Sequence, residues 1–205
     1  MNEKAQTAAT RTTAFTMVEL LTVIAVIGIL SAILIPSTAA ARVSMRRAQT
    51  KVLFSQWIAA MELFRQEYGI YPAIDRGTGK VDAAVFAGAL TGRRLDGSAV
   101  ENAGELAGNS RRIAFYAVGE NESNAARTAL LDAFGNSEIA VLIDTNGDGR
   151  ITDADGRVVG VRSADGTVFT PSVSDLDLSA GIRAGVIFYS AGNGRSSGDL
   201  IFSWK

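Results

Sequence analysis

The chain has 205 residues, a formal net charge of −1 and neither cysteine nor histidine. Near-neutral charge disfavours nucleic acid as the main partner, and the lack of cysteine excludes disulfides, thiolate metal sites and thiol nucleophiles. Without histidine, a Ser-His-Asp triad and a His-ligated zinc are excluded as well. Since no other nucleophile and base stand in a recognisable arrangement, we expect a protein that is not an enzyme.

The first predicted element is a helix built on an apolar segment, residues 18–35, VELLTVIAVIGILSAILI. About 18 to 20 apolar residues can cross the hydrocarbon core of a bilayer as a helix. The polar groups after Glu19 are Thr22 and Ser31, whose hydroxyls can bond to carbonyls of the helix itself. A buried helix of a soluble protein is one alternative explanation of this segment.

A cleavable secretory signal is a second alternative. Lys4 and Arg11 would form its basic region, and the apolar run would form its core. Pro36 would then break the helix, and the small residues Ala39-Ala40-Ala41 would supply the cleavage site.

A third interpretation includes the residues at the start of the apolar run, Phe15-Thr16-Met17-Val18-Glu19-Leu20. They resemble the Phe-Thr-Leu-x-Glu-Leu of the class III signal in type IV prepilins and type II secretion pseudopilins. In that family a membrane peptidase cuts before the phenylalanine, usually after a glycine, and methylates the new N-terminus. The resemblance implies cleavage between Ala14 and Phe15, with Ala14 in place of the glycine. It also implies a helix kink at Pro36, where the family has a proline.

Glu19 has a role in this interpretation. Cleavage would give Phe15 a free α-amine, and Glu19 lies one helical turn further along. An unpaired charge among apolar helices is costly, so packings that bring an amine to Glu19 are favoured. We therefore expect Phe15 and Glu19 to act in filament assembly. The alternative is an acid in the first turn that the helix dipole favours there.

Basic residues flank the apolar segment: Lys4 and Arg11 before it, and Arg42, Arg46, Arg47 and Lys51 after it. The first group favours a cytoplasmic N-terminus, and the second favours the reverse. The family resemblance implies the former, in a single-pass protein of the inner (cytoplasmic) membrane with a periplasmic head. The implied partners are other pilin-like subunits, the prepilin peptidase and the inner-membrane assembly platform.

The helix is predicted to continue beyond Pro36 as far as Tyr68. Its apolar residues recur at helical spacing and form one stripe: Leu53, Trp57, Ala60, Met61, Phe64 and Tyr68. This periodicity predicts that the stripe packs on a sheet. Gly69 is the expected C-cap. The sequence GIYP at residues 69–72 resembles the G-x-Y-P that commonly follows this helix in the major pseudopilin of type II secretion.

After the long helix we predict a connecting loop over residues 73–112, with a short helix near Asp82 to Leu90. Strands are predicted where apolar, β-branched or aromatic residues cluster between turns: residues 113–118, 139–143, 157–161, 185–189 and 200–204. Short links between strands indicate an antiparallel sheet. The predicted class is α+β, with a long N-terminal helix, membrane-spanning in its first half, packed on a small C-terminal antiparallel sheet.

The predicted organisation has four parts: a leader peptide at 1–14, a transmembrane and filament-core helix at 15–36, an amphipathic second half of the helix at 37–69, and a pseudopilin-like head at 70–205. Two head segments add to the resemblance. Residues 131–136, LDAFGN, resemble the D-P-W-G-N turn of major pseudopilins, and residues 188–204 resemble their C-terminal S-x-G-x-D-G…D-D-I…W.

A calcium-loop pattern occupies residues 144–155, DTNGDGRITDAD. Its candidate ligands are Asp144, Asn146, Asp148, the carbonyl of Arg150, and Asp155. A tight hairpin is the alternative, because Asn-Gly and Asp-Gly are strong hairpin signals. Major pseudopilins are known for a calcium site in the C-terminal loop. The resemblance therefore implies a second, weaker calcium candidate at Asp199, although this chain lacks the neighbouring second acid.

Two functions follow from these patterns. The first is a structural subunit of a type II secretion pseudopilus or type IV pilus-like filament that assembles through its N-terminal helix to support protein secretion. The alternative is a secreted or membrane-anchored calcium-binding module that does not form filaments.

Overall fold

A computed structural model describes residues 15–205, and within this range the side chains of residues 33–37 lie outside the description. The predicted leader peptide, with Ala14, therefore lies outside the described residues. The chain divides into two compact units, one ending at Arg42 and one running from Val43 to Lys205.

Helix α1 runs from Met17 to Tyr68 over 52 residues. The helical assignment passes through Pro36, and the kink expected there stays a prediction. Gly69 ends the helix with a φ of 78°, in the left-handed region that glycine adopts without a steric penalty. Its N–H donates to the Arg65 carbonyl at 2.7 Å, so the predicted C-cap is confirmed.

The apolar stripe of α1 forms the centre of one hydrophobic core. Its predicted members are buried, except Tyr68, which is half-buried against the same cluster. Phe54 belongs to this core too, one turn before Trp57. The Trp57 ring lies 4.7 Å from Phe86 and 5.5 Å from Phe188, between centroids, so the core joins three elements through aromatic contacts.

The sheet that covers this stripe is antiparallel and has the order β1-β4-β5. Its strands are β1 Ile139–Ile143, β4 Val186–Ser190 and β5 Ile201–Phe202. Ile139 lies opposite Ser190, and Ile143 lies opposite Val186. The predicted α+β class, with its long N-terminal helix and small antiparallel sheet, is confirmed.

Both faces of this sheet are buried. Val141 and Phe188 face the core of α1, whereas Leu142 and Ile187 belong to a second core on the other side. Residues between β1 and β4, among them Ile151 and Val161, cover that second face. Continuous apolar strands such as IAVLI are therefore required, since neither face of β1 meets water.

A short helix, α2, runs from Ala83 to Thr91, as predicted to within a residue. Asp82 caps its N-terminus and accepts from the N–H groups of Ala84 and Val85 at 3.0 and 3.1 Å. The described chain also holds 3-10 helices at Ala103–Leu106, Glu120–Glu122 and Ser197–Asp199.

The strand predicted at residues 113–118 is wrong. The N–H groups of Phe115 and Tyr116 donate to the Leu90 carbonyl at 2.8 and 2.9 Å, at the end of α2. The buried Asn109 side chain binds both the N–H and the carbonyl of Ile113, at 2.9 and 2.8 Å. These bonds engage the backbone groups that a strand would need for pairing, so the apolar residues fill the core from a loop.

The prediction of a strand at residues 157–161 is also wrong, because only Val161 of that range lies in a strand. Strand β2 covers only Val161–Arg162 and pairs with β3, Val168–Phe169, in a separate two-stranded sheet. In the region before it, the N–H and carbonyl of Val159 bond to the Tyr189 hydroxyl at 2.9 and 2.8 Å, in place of a strand partner.

Among the residues whose side chains are described, no helix combines the length and the hydrophobicity needed to cross a membrane.

Candidate functional site

The start of α1 exposes apolar side chains on every side of the helix. Between residues 15 and 30, eleven large apolar side chains are exposed: Phe15, Met17, Val18, Leu20, Leu21, Val23, Ile24, Val26, Ile27, Ile29 and Leu30. Met17 is 87% exposed and Leu20 is 62% exposed. A helix that is apolar all round needs a buried environment, either a protein core or a bilayer.

Glu19 caps the N-terminus of this helix. Its Oε2 accepts from the N–H and the hydroxyl of Thr16, both at 2.8 Å. The Thr16 hydroxyl in turn accepts from the Glu19 N–H at 3.2 Å. This reciprocal pair is a capping box, which satisfies donors that the first turn would otherwise leave free. The carboxylate is thereby directed toward the N-terminal end, one residue from Phe15.

The acidic loop at residues 144–155 folds its side chains onto its own backbone. Asp144 is buried and accepts from the N–H groups of Gly147 and Gly149 at 2.7 and 2.8 Å. Asn146 accepts from the Asp148 N–H at 2.9 Å, and Asp148 accepts from the Arg150 N–H at 2.8 Å. The first three candidate ligands are thus arranged in successive turns.

Asp155 closes the loop. One of its oxygens accepts from the N–H and hydroxyl of Thr145 at 2.9 Å, and the other from those of Thr152 at 3.0 Å. Burial alone would raise the pKa of Asp155, but the hydrogen bonds from Thr152 and Thr145 outweigh it and lower the pKa. The structure therefore brings the two ends of the predicted calcium loop together.

The hairpin alternative for this loop does not fit the strand pairing. β1, which enters the loop, pairs with β4. Ile151, which leaves the loop, pairs with Ile182 through two hydrogen bonds of 2.8 and 2.9 Å. Arg150 strengthens that second contact, because its side chain donates to the Ala180 carbonyl at 2.6 Å. The loop therefore connects two different pairings and does not join neighbouring strands.

No group of three or more Asp, Glu, His or Cys side chains in the described chain could hold a metal ion. The predicted ligand set includes three carboxylates, those of Asp144, Asp148 and Asp155, and these do not form such a group. The set also relies on the Asn146 amide and the Arg150 carbonyl. Oxygen ligands of these types are what Ca²⁺ accepts. Calcium at this loop stays a prediction.

A cavity of about 710 Å³ lies beside the acidic loop. Asp144 and Asp155 line it together with Arg65 and Tyr71. The Tyr71 hydroxyl donates to Glu62 and accepts from Arg65, whose guanidinium carbon lies 4.9 Å from the centre of the Tyr71 ring. Burial, together with the bond to Glu62, raises the pKa of Tyr71 to about 12. The tyrosine of the GIYP segment thus lines this cavity and is hydrogen-bonded to two residues near the end of α1.

Asp199, the second calcium candidate, has protein partners on both oxygens. Its Oδ2 accepts from the N–H groups of Arg195 and Ser196 at 3.2 and 3.0 Å. Its Oδ1 lies 3.4 Å from the Arg47 guanidinium of α1. A cation here would have to displace an arginine, so the geometry disfavours the site.

The turn at residues 131–136 holds a buried polar network that the sequence alone did not indicate. Asp132 accepts from the N–H groups of Phe134 and Asn136, from the Asn136 side chain and from the Ser190 hydroxyl, at 2.7 to 2.9 Å. Asn136 also donates to the Gly192 carbonyl at 2.8 Å. Burial raises the pKa of Asp132 despite these hydrogen bonds. The resemblance to the D-P-W-G-N turn indicated the local turn, but two members of the network, Ser190 and Gly192, lie more than fifty residues away.

Comparisons with protein-family models, curated proteins and solved structures find no match for this chain.

Proposed function

We propose that this protein is a structural subunit of a type II secretion pseudopilus or a type IV pilus-like filament. The segment at residues 15–36 anchors it in the cytoplasmic membrane before assembly and lies in the filament core afterwards. The unit from Val43 onward is the periplasmic head. The exposed apolar surface at the start of α1 carries this proposal.

The size of that surface makes water an implausible environment for it. Burying one large aliphatic side chain contributes about 1.5 to 3 kcal/mol. Because the eleven side chains are 48 to 87% exposed, covering them would contribute on the order of 10 to 20 kcal/mol, as much as the whole stability of a typical domain. A bilayer, and then a bundle of like helices, provides that cover without a separate partner protein.

The processing step follows from the motif at the start of this helix. A prepilin peptidase cuts between Ala14 and Phe15 and methylates the new α-amine. Glu19, whose carboxylate already reaches back toward the first turn, then neutralises an amine of its own chain or of a neighbour. Subunits, the peptidase and the assembly platform in the inner membrane are the partners this function requires.

The mass of the mature N-terminus tests the proposal. We expect the membrane-extracted protein to begin at a methylated Phe15. Changing Ala14→Gly should leave that terminus unchanged and increase the processed fraction, because glycine is the family's usual residue there. A mature chain that begins near Arg42 and is released from the membrane would instead indicate a secretory signal, and would contradict the filament function.

The acidic loop favours one other function, a calcium-binding module that is secreted or anchored and forms no filaments. Its support is the arrangement of Asp144, Asn146 and Asp148 in successive turns closed by Asp155. The two functions differ in the N-terminal mass, since only the first requires Phe15 as the first residue.

A further inference from the structure

Strand β1 lies at the edge of the three-stranded sheet, with β4 on one side of it. On the β4 side, the N–H of Asp144 donates to the Gly185 carbonyl at 2.8 Å. Hydrogen-bonded and non-hydrogen-bonded residues alternate along an antiparallel pair of strands. Val141 and Ile143 therefore direct their N–H and carbonyl groups away from β4, toward the outer side of β1.

A short segment of the chain covers only the first part of this outer side. The Val81 N–H donates to the Ile139 carbonyl at 2.8 Å, and the Val141 N–H donates to the Gly79 carbonyl at 3.0 Å. Gly79 has a φ of 74°, and its own N–H donates to the Asp75 carboxylate at 3.0 Å. The pairing with β1 therefore ends at Gly79, before it reaches the Val141 carbonyl.

The next three backbone groups on the outer side are here called the open edge: the carbonyl of Val141, and the N–H and the carbonyl of Ile143. In the part of the chain that the structure describes, no hydrogen bond pairs these groups with another strand or with a side chain. Val141 and Ile143 are nevertheless buried, with exposures of 1% and 8%. Buried backbone groups without a partner are rare in folded proteins, so the open edge indicates a binding partner.

The open edge lies in the wall of the cavity of about 710 Å³ beside the acidic loop. Ligand sites commonly have volumes of about 300 to 1,000 Å³. Ala73, Asp153 and Arg157 line the same cavity and are exposed, so the cavity opens to solvent. A partner can therefore reach the open edge from outside.

The charge of the cavity lining indicates the chemistry of that partner. Four carboxylates and two guanidinium groups line the cavity, which gives a formal charge of −2: Asp75, Asp144, Asp153 and Asp155, with Arg65 and Arg157. Three of the carboxylates accept hydrogen bonds from nearby backbone, whereas Asp153 is exposed at the rim. Complementary charge favours a partner with lysine or arginine side chains, and Asp153 is the carboxylate best placed to meet one.

We propose that the open edge binds an extended, basic peptide segment of another protein, which adds to β1 as a further strand. Strand addition is a recurring mode of peptide recognition, in which main-chain hydrogen bonds supply affinity. In an antiparallel arrangement, one peptide residue exchanges two hydrogen bonds with Ile143, and another donates to the Val141 carbonyl. All three groups of the open edge are then paired.

Fluorescence anisotropy of a labelled peptide tests this binding, with the full chain in micelles of a neutral detergent. The probe is a short end-blocked peptide of alternating lysine and valine, because valine favours the extended conformation and lysine supplies the charge. We expect saturable binding with a Kd below about 1 mM. The same peptide with N-methyl groups on its central amides keeps the charge but loses donors, and should bind at least about tenfold more weakly.

Three variants of the chain locate the site. Ala73→Trp places a large side chain at the cavity and should abolish binding at concentrations that saturate the wild type. Ala126→Trp is the matched control and should bind as the wild type does, because Ala126 is also exposed but does not line the cavity. Asp153→Asn should weaken binding about two- to fivefold, as expected for the loss of one exposed ion pair.

Equal binding of the N-methylated peptide would show attraction by charge alone and would overturn strand addition. Equal affinities of Ala73→Trp and Ala126→Trp would place the peptide elsewhere on the molecule and overturn the assigned site. Failure of the wild type to bind the unmodified peptide would also overturn the proposal. The test requires only the folded chain, so its result does not depend on the filament function.

Discussion

At the scale of single residues, Asp132 shows how burial and hydrogen bonding oppose each other. Four donors surround its carboxylate, which favours the ionised form, yet burial raises the pKa of the group overall. A carboxyl whose pKa is higher in the folded state stabilises the fold fully at low pH. That contribution is lost as pH rises through the folded-state pKa.

We therefore predict that the unfolding free energy of the wild type falls, relative to that of Asp132→Asn, as pH rises above the ordinary aspartate range. Denaturant melts at a series of pH values measure this difference. Asp132→Ala should cost on the order of 1 to 3 kcal/mol at low pH, because it leaves buried donors such as the Ser190 hydroxyl unpaired. This cost should fall as pH rises, because alanine lacks the titrating group. An Asp132→Asn curve parallel to that of the wild type would show that the group titrates alike in both states.

The two roles proposed for Glu19, as a helix cap and as a charged partner of the Phe15 amine, can be tested separately. Glutamine at this position of a capping box can accept the same bonds from Thr16, but it carries no charge. We predict that Glu19→Ala and Glu19→Gln both impair filament assembly, measured by pelleting and electron microscopy. Normal filaments from Glu19→Gln but not from Glu19→Ala would show that Glu19 acts only as a helix cap, and would contradict its pairing with the Phe15 amine.

Gly185 packs directly against the Tyr71 hydroxyl, which leaves no room for a side chain at position 185. A Cβ added there would overlap the Tyr71 hydroxyl. We predict that Gly185→Ala destabilises the protein by about 1 to 3 kcal/mol in denaturant melts. Gly198→Ala is the control, since a Cβ at Gly198 meets nothing nearer than 3.6 Å. Equal stabilities would mean that Tyr71 moves aside at little cost.

At the scale of elements, the acidic loop at residues 144–155 is the candidate site for calcium. We predict that millimolar Ca²⁺ raises the melting temperature, since a ligand at a hundred times its Kd adds about 2.7 kcal/mol. Asp148→Ala should abolish the shift, because it removes the central ligand. Asp177→Ala, in another exposed turn, should keep it. An unchanged melting temperature in the wild type would refute calcium binding at this loop.

At the scale of the whole molecule, the division at Arg42 predicts independent folding of the unit from Val43 to Lys205. The α1 residues in its core begin at Leu53, so a chain that starts at residue 43 keeps all of them. We expect this fragment to melt cooperatively by circular dichroism. A fragment that starts at residue 70 should not, because it lacks Phe54, Trp57, Met61 and Phe64 from the core. Cooperative melting of the shorter fragment would show that the sheet folds without α1.

The orientation of the chain is also a property of the whole molecule. The proposed function places Lys205 in the periplasm, although the basic residues after the apolar segment favour the opposite orientation. A phosphatase that is active only in the periplasm, fused after Lys205, should be active. A reporter that works only in the cytoplasm should be inactive there, and the reverse outcome would reject the filament function.

Local patterns in the sequence determined the long helix, its buried stripe, its end at Gly69, α2 and the strands at β1 and β4. These features depend on spacing within one element, or on an apolar run that both faces of a sheet can bury. The position of Glu19 in the first turn and the order of the acidic loop residues were readable for the same reason.

Only the tertiary structure decided which apolar segments pair and which merely fill the core. Residues 113–118 have the composition of a strand, but their N–H groups donate to the end of α2 and to the side chain of Asn109 and not to a neighbouring strand. The acidic loop looks like a hairpin, but Ile151 pairs with Ile182 and β1 pairs with β4. Asp132 also bonds to Ser190, and Asp199 to Arg47, each from a distant part of the chain. Such choices depend on which hydrogen-bond partners the folded core brings within reach, and no local spacing encodes them.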